Sequence, residues 1–178
     1  QGSYATSPTL TSLTAEGTTT TRVAEVCNGA GNASTFNDSE GVLMVDMAAL
    51  ANDLTWRSIY ISDGTDANRI VIRNNNNTNQ IEASIWVGSV LQTTLTYSGT
   101  TIIDFNKIGF SFKLNEFKLY VNGILRDSDL SGVMFPASTL NDLAFIRPIG
   151  TEKFYGKTKQ LQYFNTVLTS AELETLTS

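Results

Sequence analysis

"KIGFSFKLNEFKLYVNG", residues 107–123, alternates twice. Ile108, Phe110 and Phe112 stand against Gly109, Ser111 and Lys113. Beyond the "KLNE" turn, Phe117, Leu119 and Val121 stand against Lys118, Tyr120 and Asn122. A strict period of two is the mark of a strand with one face on a core, and two such runs across a short polar turn make an antiparallel hairpin. The pattern recurs in "GVLMVDMA" (41–48), "WRSIYIS" (56–62) and on both sides of "NNNNTN" in 68–86, with turn signals such as "DGTDAN" and "VGS" between. Short, frequent strands with polar outer faces predict an all-β fold: an antiparallel two-sheet β-sandwich.

The asparagine run poses a register problem. Pairing Ile72 with Ile81 leaves Asn75–Thr78 as a four-residue loop and sets Arg69, Val71 and Arg73 beside Ser84, Glu82 and Gln80 on the face opposite the isoleucines. Asn tolerates left-handed backbone and bonds its own chain, so a turn explains the composition without a ligand. A two-residue turn at Gly88-Ser89 would put Trp86 opposite Leu91 and close to Leu95, which leaves that ring open to core packing or to ligand stacking. One helix start is legible. In "VLTSAELETL", Thr169 reads as N-cap with Glu172 at the third helical position, and Leu168 and Leu173 as a hydrophobic staple.

Composition narrows the chemistry. The 178 residues suit a single domain, residues 4–178, with "QGS" (1–3) reading as a tag remnant. Net charge is −5, with no Lys/Arg cluster, which argues against nucleic acid as a partner. There is no His, so serine-type triads, His-paired cysteine nucleophiles and His-ligated zinc are excluded. Cys27 is the only cysteine and reads as a small buried hydrophobe. No stretch approaches the ~20 apolar residues of a membrane helix, so membrane insertion is not expected.

Two stretches carry a family likeness. "KIGFSFKLNEFKLYVNGILRDSD" (107–129) resembles the strand–turn–strand of concanavalin A-like, laminin-G-type jelly rolls, and "GKTKQLQYFNTVLTSAELETL" (156–176) resembles their closing strand and short C-terminal helix. "SEGVLMVDMAAL" and "IYISDGTDANRIVI" are similar to domains of bacteriophage virion and tail proteins and to modules appended to polysaccharide-degrading enzymes. The resemblance implies a jelly roll whose concave face or loop rim meets a glycan in many relatives. It implies an extracellular or virion-surface setting, with a polysaccharide or cell-surface glycan, and other virion proteins, as partners. Relatives also include catalytic glucanases and protein-binding modules, so fold alone does not choose.

Catalysis is the weakest of these readings. A glycosidase needs two carboxylates ~5–9.5 Å apart. Glucanases of this resemblance carry alternating acids on one strand, whereas "EGVLMVDMA" offers Asp46 with no acid two or four residues away. Sugar binding asks instead for flat aromatic rings and planar polar groups. The candidates are Asp46, Tyr60, Arg73, Glu82, Trp86 and Gln162 on strands, and Arg147 and Tyr155 in loops; Arg73 has an ion pair with Asp46 or Glu82 as its alternative. No cofactor is required. A structural calcium ion is the one metal the resemblance suggests, with Asp63, Asp66, Asp127 and Asp129 as candidate ligands. The expected function is non-catalytic glycan binding, with a structural or protein-interaction domain as the alternative.

Overall fold

The computed structural model describes residues 30–178; Cys27 and the first three residues lie outside the described range. Ten strands form two antiparallel five-stranded sheets. One sheet contains β1 (Glu40–Ala49), β6 (Asn106–Lys113), β7 (Glu116–Val121), β8 (Ile124–Asp129) and β10 (Gly156–Phe164), in the order β10-β1-β6-β7-β8. The other contains β2 (Arg57–Ser62), β3 (Arg69–Asn74), β4 (Ile81–Val87), β5 (Val90–Tyr97) and β9 (Asp142–Ala144), in the order β5-β4-β3-β2-β9. Among the described residues there is one helix, α1 (Ser170–Thr177).

The alternation of 107–123 does what its period requires. Phe110 pairs with Leu119 across β6–β7 and with Leu43 across β1–β6, and all three point into the space between the sheets. Ile59, Ile61, Ile70, Ile72, Ile81 and Ile85 meet them from the second sheet. The tight turn after β7 needs left-handed backbone at both of its residues, Asn122 (φ 51) and Gly123 (φ 76).

β1 departs from the half-buried strand its sequence suggests, because both of its faces are covered. Leu43, Val45 and Met47 face the core, while Val42 on the far side packs with Tyr120 under Leu173 of α1. The helix is set by the capping box foreseen at Thr169: its side chain accepts from the Glu172 amide at 3.3 Å, and the Glu172 carboxylate accepts from the Thr169 amide at 2.7 Å. Leu168 and Leu173 both join the cluster beneath. Thr169→Ala is expected to lower stability by ~1 kcal/mol. Urea titration would read this as a lower midpoint at constant slope.

The β3–β4 hairpin keeps the expected faces and corrects the register. Ile72 pairs with Ala83, and Asn74 with Ile81, so the loop runs over six residues, 75–80, closed by the Asn75 amide on the Gln80 carbonyl at 2.8 Å. Asn79, at φ 54, supplies the left-handed residue. A slip of two preserves which side chains share a face, but it changes neighbours: Arg73 lies opposite Glu82 and Arg69 opposite Trp86. Gly88 and Ser89, both at positive φ, make the two-residue turn of β4–β5, and Trp86 pairs with Leu91 as expected. Leu95 belongs to the core, on the other face.

Candidate functional site

The face of the second sheet that points away from the core carries an unusual polar layer. Reading across β2, β3, β4 and β5, one row is Ser58, Arg73, Glu82 and Thr96; the next is Tyr60, Val71, Ser84 and Thr94; the third is Ser62, Arg69, Trp86 and Leu91. Over the β2–β3 half lies the loop between β9 and β10, held in shape by Arg147 N–H on the Thr151 carbonyl at 3.0 Å and Gly150 N–H on the Arg147 carbonyl at 2.7 Å. The β4–β5 half is more open: Thr94, Thr96 and Leu91 are exposed and Trp86 is half-buried.

Glu152 of that loop, itself in left-handed backbone (φ 51), fills a cradle of donors. Its Oε2 accepts from the Tyr60 hydroxyl at 2.5 Å, from Ser58 Oγ at 3.2 Å and from Arg73 Nη1 at 3.4 Å, while Oε1 accepts from Arg147 Nη1 at 2.6 Å. Burial first, then the Glu152 carboxylate, push the Tyr60 hydroxyl well above its usual range. The Asp66 carboxylate, at 2.6 Å, raises the Arg147 guanidinium with help from Glu152 and against burial. Arg73 also donates to Glu82 at 2.6 Å and lies over the Trp56 ring, 4.6 Å from its centroid. Glu82 in turn takes the Asn75 side-chain amide, whose oxygen accepts from the Trp56 indole at 3.0 Å. Asn75 thus belongs to the site as well as to the turn, while Asn74 ends β3.

Arg69 is different. It is 8% exposed, its guanidinium donates to the Asp66 backbone carbonyl, and it sits over the Trp86 ring at 4.4 Å. Burial pulls it below the usual arginine range; the Asp66 carboxylate opposes this, and Arg147 and Arg73 add to it. Beside it on β4, Ser84 is 1% exposed and its Oγ has no hydrogen-bond partner among the described residues.

The sequence candidates therefore divide. Arg73, Glu82, Trp86, Tyr60 and Arg147 converge on this face. Tyr60 is not the exposed platform its position between two serines suggests: it is 1% exposed, because the β9–β10 loop covers it. Nor are Arg73 and Glu82 a solvated pair, since side-chain exposure is 18% and 6%. Asp46 and Gln162 lie on the other sheet, on β1 and β10; Asp46 is buried, with Oδ1 unpartnered, and Gln162 is half-buried opposite Met44. They cannot share a ligand contact with this face across the core. Tyr155 is exposed at the end of the loop, where its carbonyl accepts from Arg57 Nε at 2.7 Å. Arg69, Glu152, Ser84 and Asn75 are the members that the sequence candidates omit. Arg69 was readable in principle, since it shares the parity of Arg73; the register slip hid its pairing with Trp86.

The acidic residues considered for calcium are otherwise engaged. Asp63 accepts from Thr65 and Asn68, Asp66 from Arg147, Asp127 from the Thr96 amide and Asp129 from Ser131 and Thr93. Among the described residues, no group of three or more acidic or thiol side chains is arranged to hold an ion.

No protein-family model matches the sequence, and no curated protein matches it either. Solved structures do. The Ruminococcus gnavus IT-sialidase CBM40 superposes with a TM-score of 0.69 at 15% identity, over 88% of this chain and 96% of that one. The leech intramolecular trans-sialidase gives 0.66 at 14%, over 87% of this chain and 26% of that enzyme. A SAP-like pentraxin from Limulus polyphemus gives 0.61 at 10%, over 91% and 79%. The fold is a concanavalin A-like jelly roll. It is shared with these three proteins, as the resemblance of 107–129 and 156–176 implies.

Proposed function

We propose that this chain is a non-catalytic glycan-binding module and that the outer face of β2–β5 is its site. The observation that carries this reading is Trp86, half-buried on a sheet face with exposed Thr94, Thr96 and Leu91 beside it. A flat ring next to hydroxyl groups, on rigid strands, is what a pyranose needs for its apolar face and its rim. Two solved structures of the R. gnavus module contain α2,3- and α2,6-sialyllactose, which supports testing sialylated glycans first. The absence of catalysis is part of the same proposal. Glu82 and Glu152, which lie in the centre of the face, are engaged by Arg73 and Arg147 rather than left free to deliver a proton.

The setting follows from the sequence resemblance: a module of a phage virion or tail protein, or of a polysaccharide-active enzyme, working outside the cell or on a virion surface. Weak sites then act through many copies. A protein-interaction role has one observation in its favour, the exposed apolar residues Leu114, Leu130 and Val133. Asn115 N–H on the Gly132 carbonyl brings their two segments together.

A glycan array followed by calorimetry tests the reading. Trp86→Ala is expected to weaken binding roughly 10- to 100-fold while the protein stays folded, read by circular dichroism. Silence of the wild type across neutral and acidic glycans would overturn it in favour of the protein-interaction role. The reading needs no metal, so EDTA and added calcium are expected to leave both the melting temperature and the affinity unchanged.

A further inference from the structure

We propose that the ligand of this face carries a carboxylate, that Arg69 is its receptor, and that Ser84 Oγ bonds the same sugar while Trp86 carries its ring. The proposal rests on the glycan-binding reading and names the class of sugar.

It follows from how charge is distributed over three guanidinium groups. Arg73 touches Glu82 and Glu152, and Arg147 touches Asp66 and Glu152. The carboxylates of Glu82, Glu152 and Asp66 are thereby used. Among the described residues, no carboxylate comes within ion-pair distance of Arg69, although only 8% of it is exposed. A cation taken out of water without an ion-pair partner is costly, and the Asp66 carboxylate acts on Arg69 only from beyond ion-pair distance. Trp86 offsets part of the cost through its π face, at 4.4 Å, and in doing so holds the guanidinium plane in place. Among the described residues, the rest of the fork makes no hydrogen bond beyond the one to the Asp66 carbonyl.

Ser84 supplies an independent observation. A buried hydroxyl with no partner is rare and costs about 1–3 kcal/mol. This one lies on the same strand and face as Trp86, two residues away, and diagonal to Arg69. The unpaired cation and the unpaired hydroxyl therefore flank one spot, at the edge of the half-exposed ring. The neighbouring donor cradle is closed to a ligand because Glu152 already occupies it. That occupant is itself a carboxylate, held by arginine, tyrosine and serine.

A carboxylate fits better than a phosphate or sulfate polymer. There is one guanidinium without an ion pair and no lysine among its contacts, so the site matches a single carboxylate rather than a run of phosphates or sulfates. The carboxylate could belong to a uronic acid or to a sialic acid, and the test separates them.

Wild-type protein would be titrated calorimetrically with sialyllactose, with an oligogalacturonate, with the methyl ester of each, and with lactose as the neutral sugar. One acid is expected to bind, its ester roughly 10- to 100-fold more weakly. Which acid binds identifies the source. Because the ester removes the charge from the ligand, this arm needs no mutant. Arg69→Ala is expected to bind acid and ester alike, and Arg69→Lys to restore only part of the difference, because a point charge lacks the fork. Ser84→Ala should weaken both forms equally. Acid and ester bound equally by the wild type, or lactose bound as well as either acid, would overturn this inference and leave glycan binding standing. Loss of all binding, neutral and acidic, would overturn both.

Discussion

Phe110→Ala is expected to destabilise the protein by ~3–5 kcal/mol, the largest effect of any substitution considered. Phe110 sits on the middle strand of its sheet, 0% exposed, between Leu43 on β1 and Leu119 on β7. Its ring centroid is 5.9 Å from that of Phe112 at an interplanar angle of 53°, a tilted contact that alanine would also abolish. Strands on both sides hold the backbone in place, so the cavity cannot close by local collapse, and the lost contacts add to the lost transfer energy. Against a total stability of about 5–15 kcal/mol, typical of a domain, this is a third or more. Leu125→Ala, on exposed β8, is the matched control and should stay within about 0.5 kcal/mol. Equal effects in urea titration would mean that the core does not lie between the two sheets.

That prediction was available from the letters alone, because the alternation at 107–123 names its own inward residues. The faces of β2, β3 and the start of β4 were equally legible, since a period of two states parity without reference to any partner, whereas β9 is too short to show a period and the side taken by Trp86 stayed open. What parity cannot state is register modulo two. Pairing Ile72 with Ile81 rather than Ala83 leaves every side chain on its face, and the sequence holds nothing local that prefers one over the other. The cost of that slip fell on the site, where Arg69 and Trp86 are neighbours only in the true register. Burial of Tyr60 was hidden for another reason. Its cover, Glu152, is 92 residues away, in a loop whose position is set by ion pairs and has no period. The double burial of β1 was half-visible, as a run rich in Val, Leu and Met. The helix that covers it was legible from its own capping box, but where it docks was not.

The same loop yields the second large effect. Glu152→Ala is expected to cost ~2–4 kcal/mol, somewhat below the 3–5 of a fully buried ion pair broken on one side, because Arg73 and Arg147 keep 18% and 25% side-chain exposure. The loss comes less from the carboxylate than from what it leaves. Tyr60 Oη–H, Ser58 Oγ–H and one nitrogen each of Arg73 and Arg147 lose their common acceptor, and a 1%-exposed Tyr60 has no water to replace it. Glu152→Gln retains volume and an acceptor and should cost about half as much. The pH dependence tests the same group from its partner. Tyr60 holds its proton to a higher pH when folded than the ~10 of an unfolded tyrosine. Its contribution is therefore complete below pH ~10 and falls as pH rises beyond it, because the unfolded chain releases a proton that the folded chain retains. Tyr60→Phe should flatten that alkaline decline, and Glu152→Ala should reduce it only in part, because burial is the larger cause of the shift and the carboxylate the smaller. Absorbance titration at alkaline pH, run beside urea midpoints, reads both. An unaltered decline in Tyr60→Phe would show that the hydroxyl is not held as the Glu152 geometry requires.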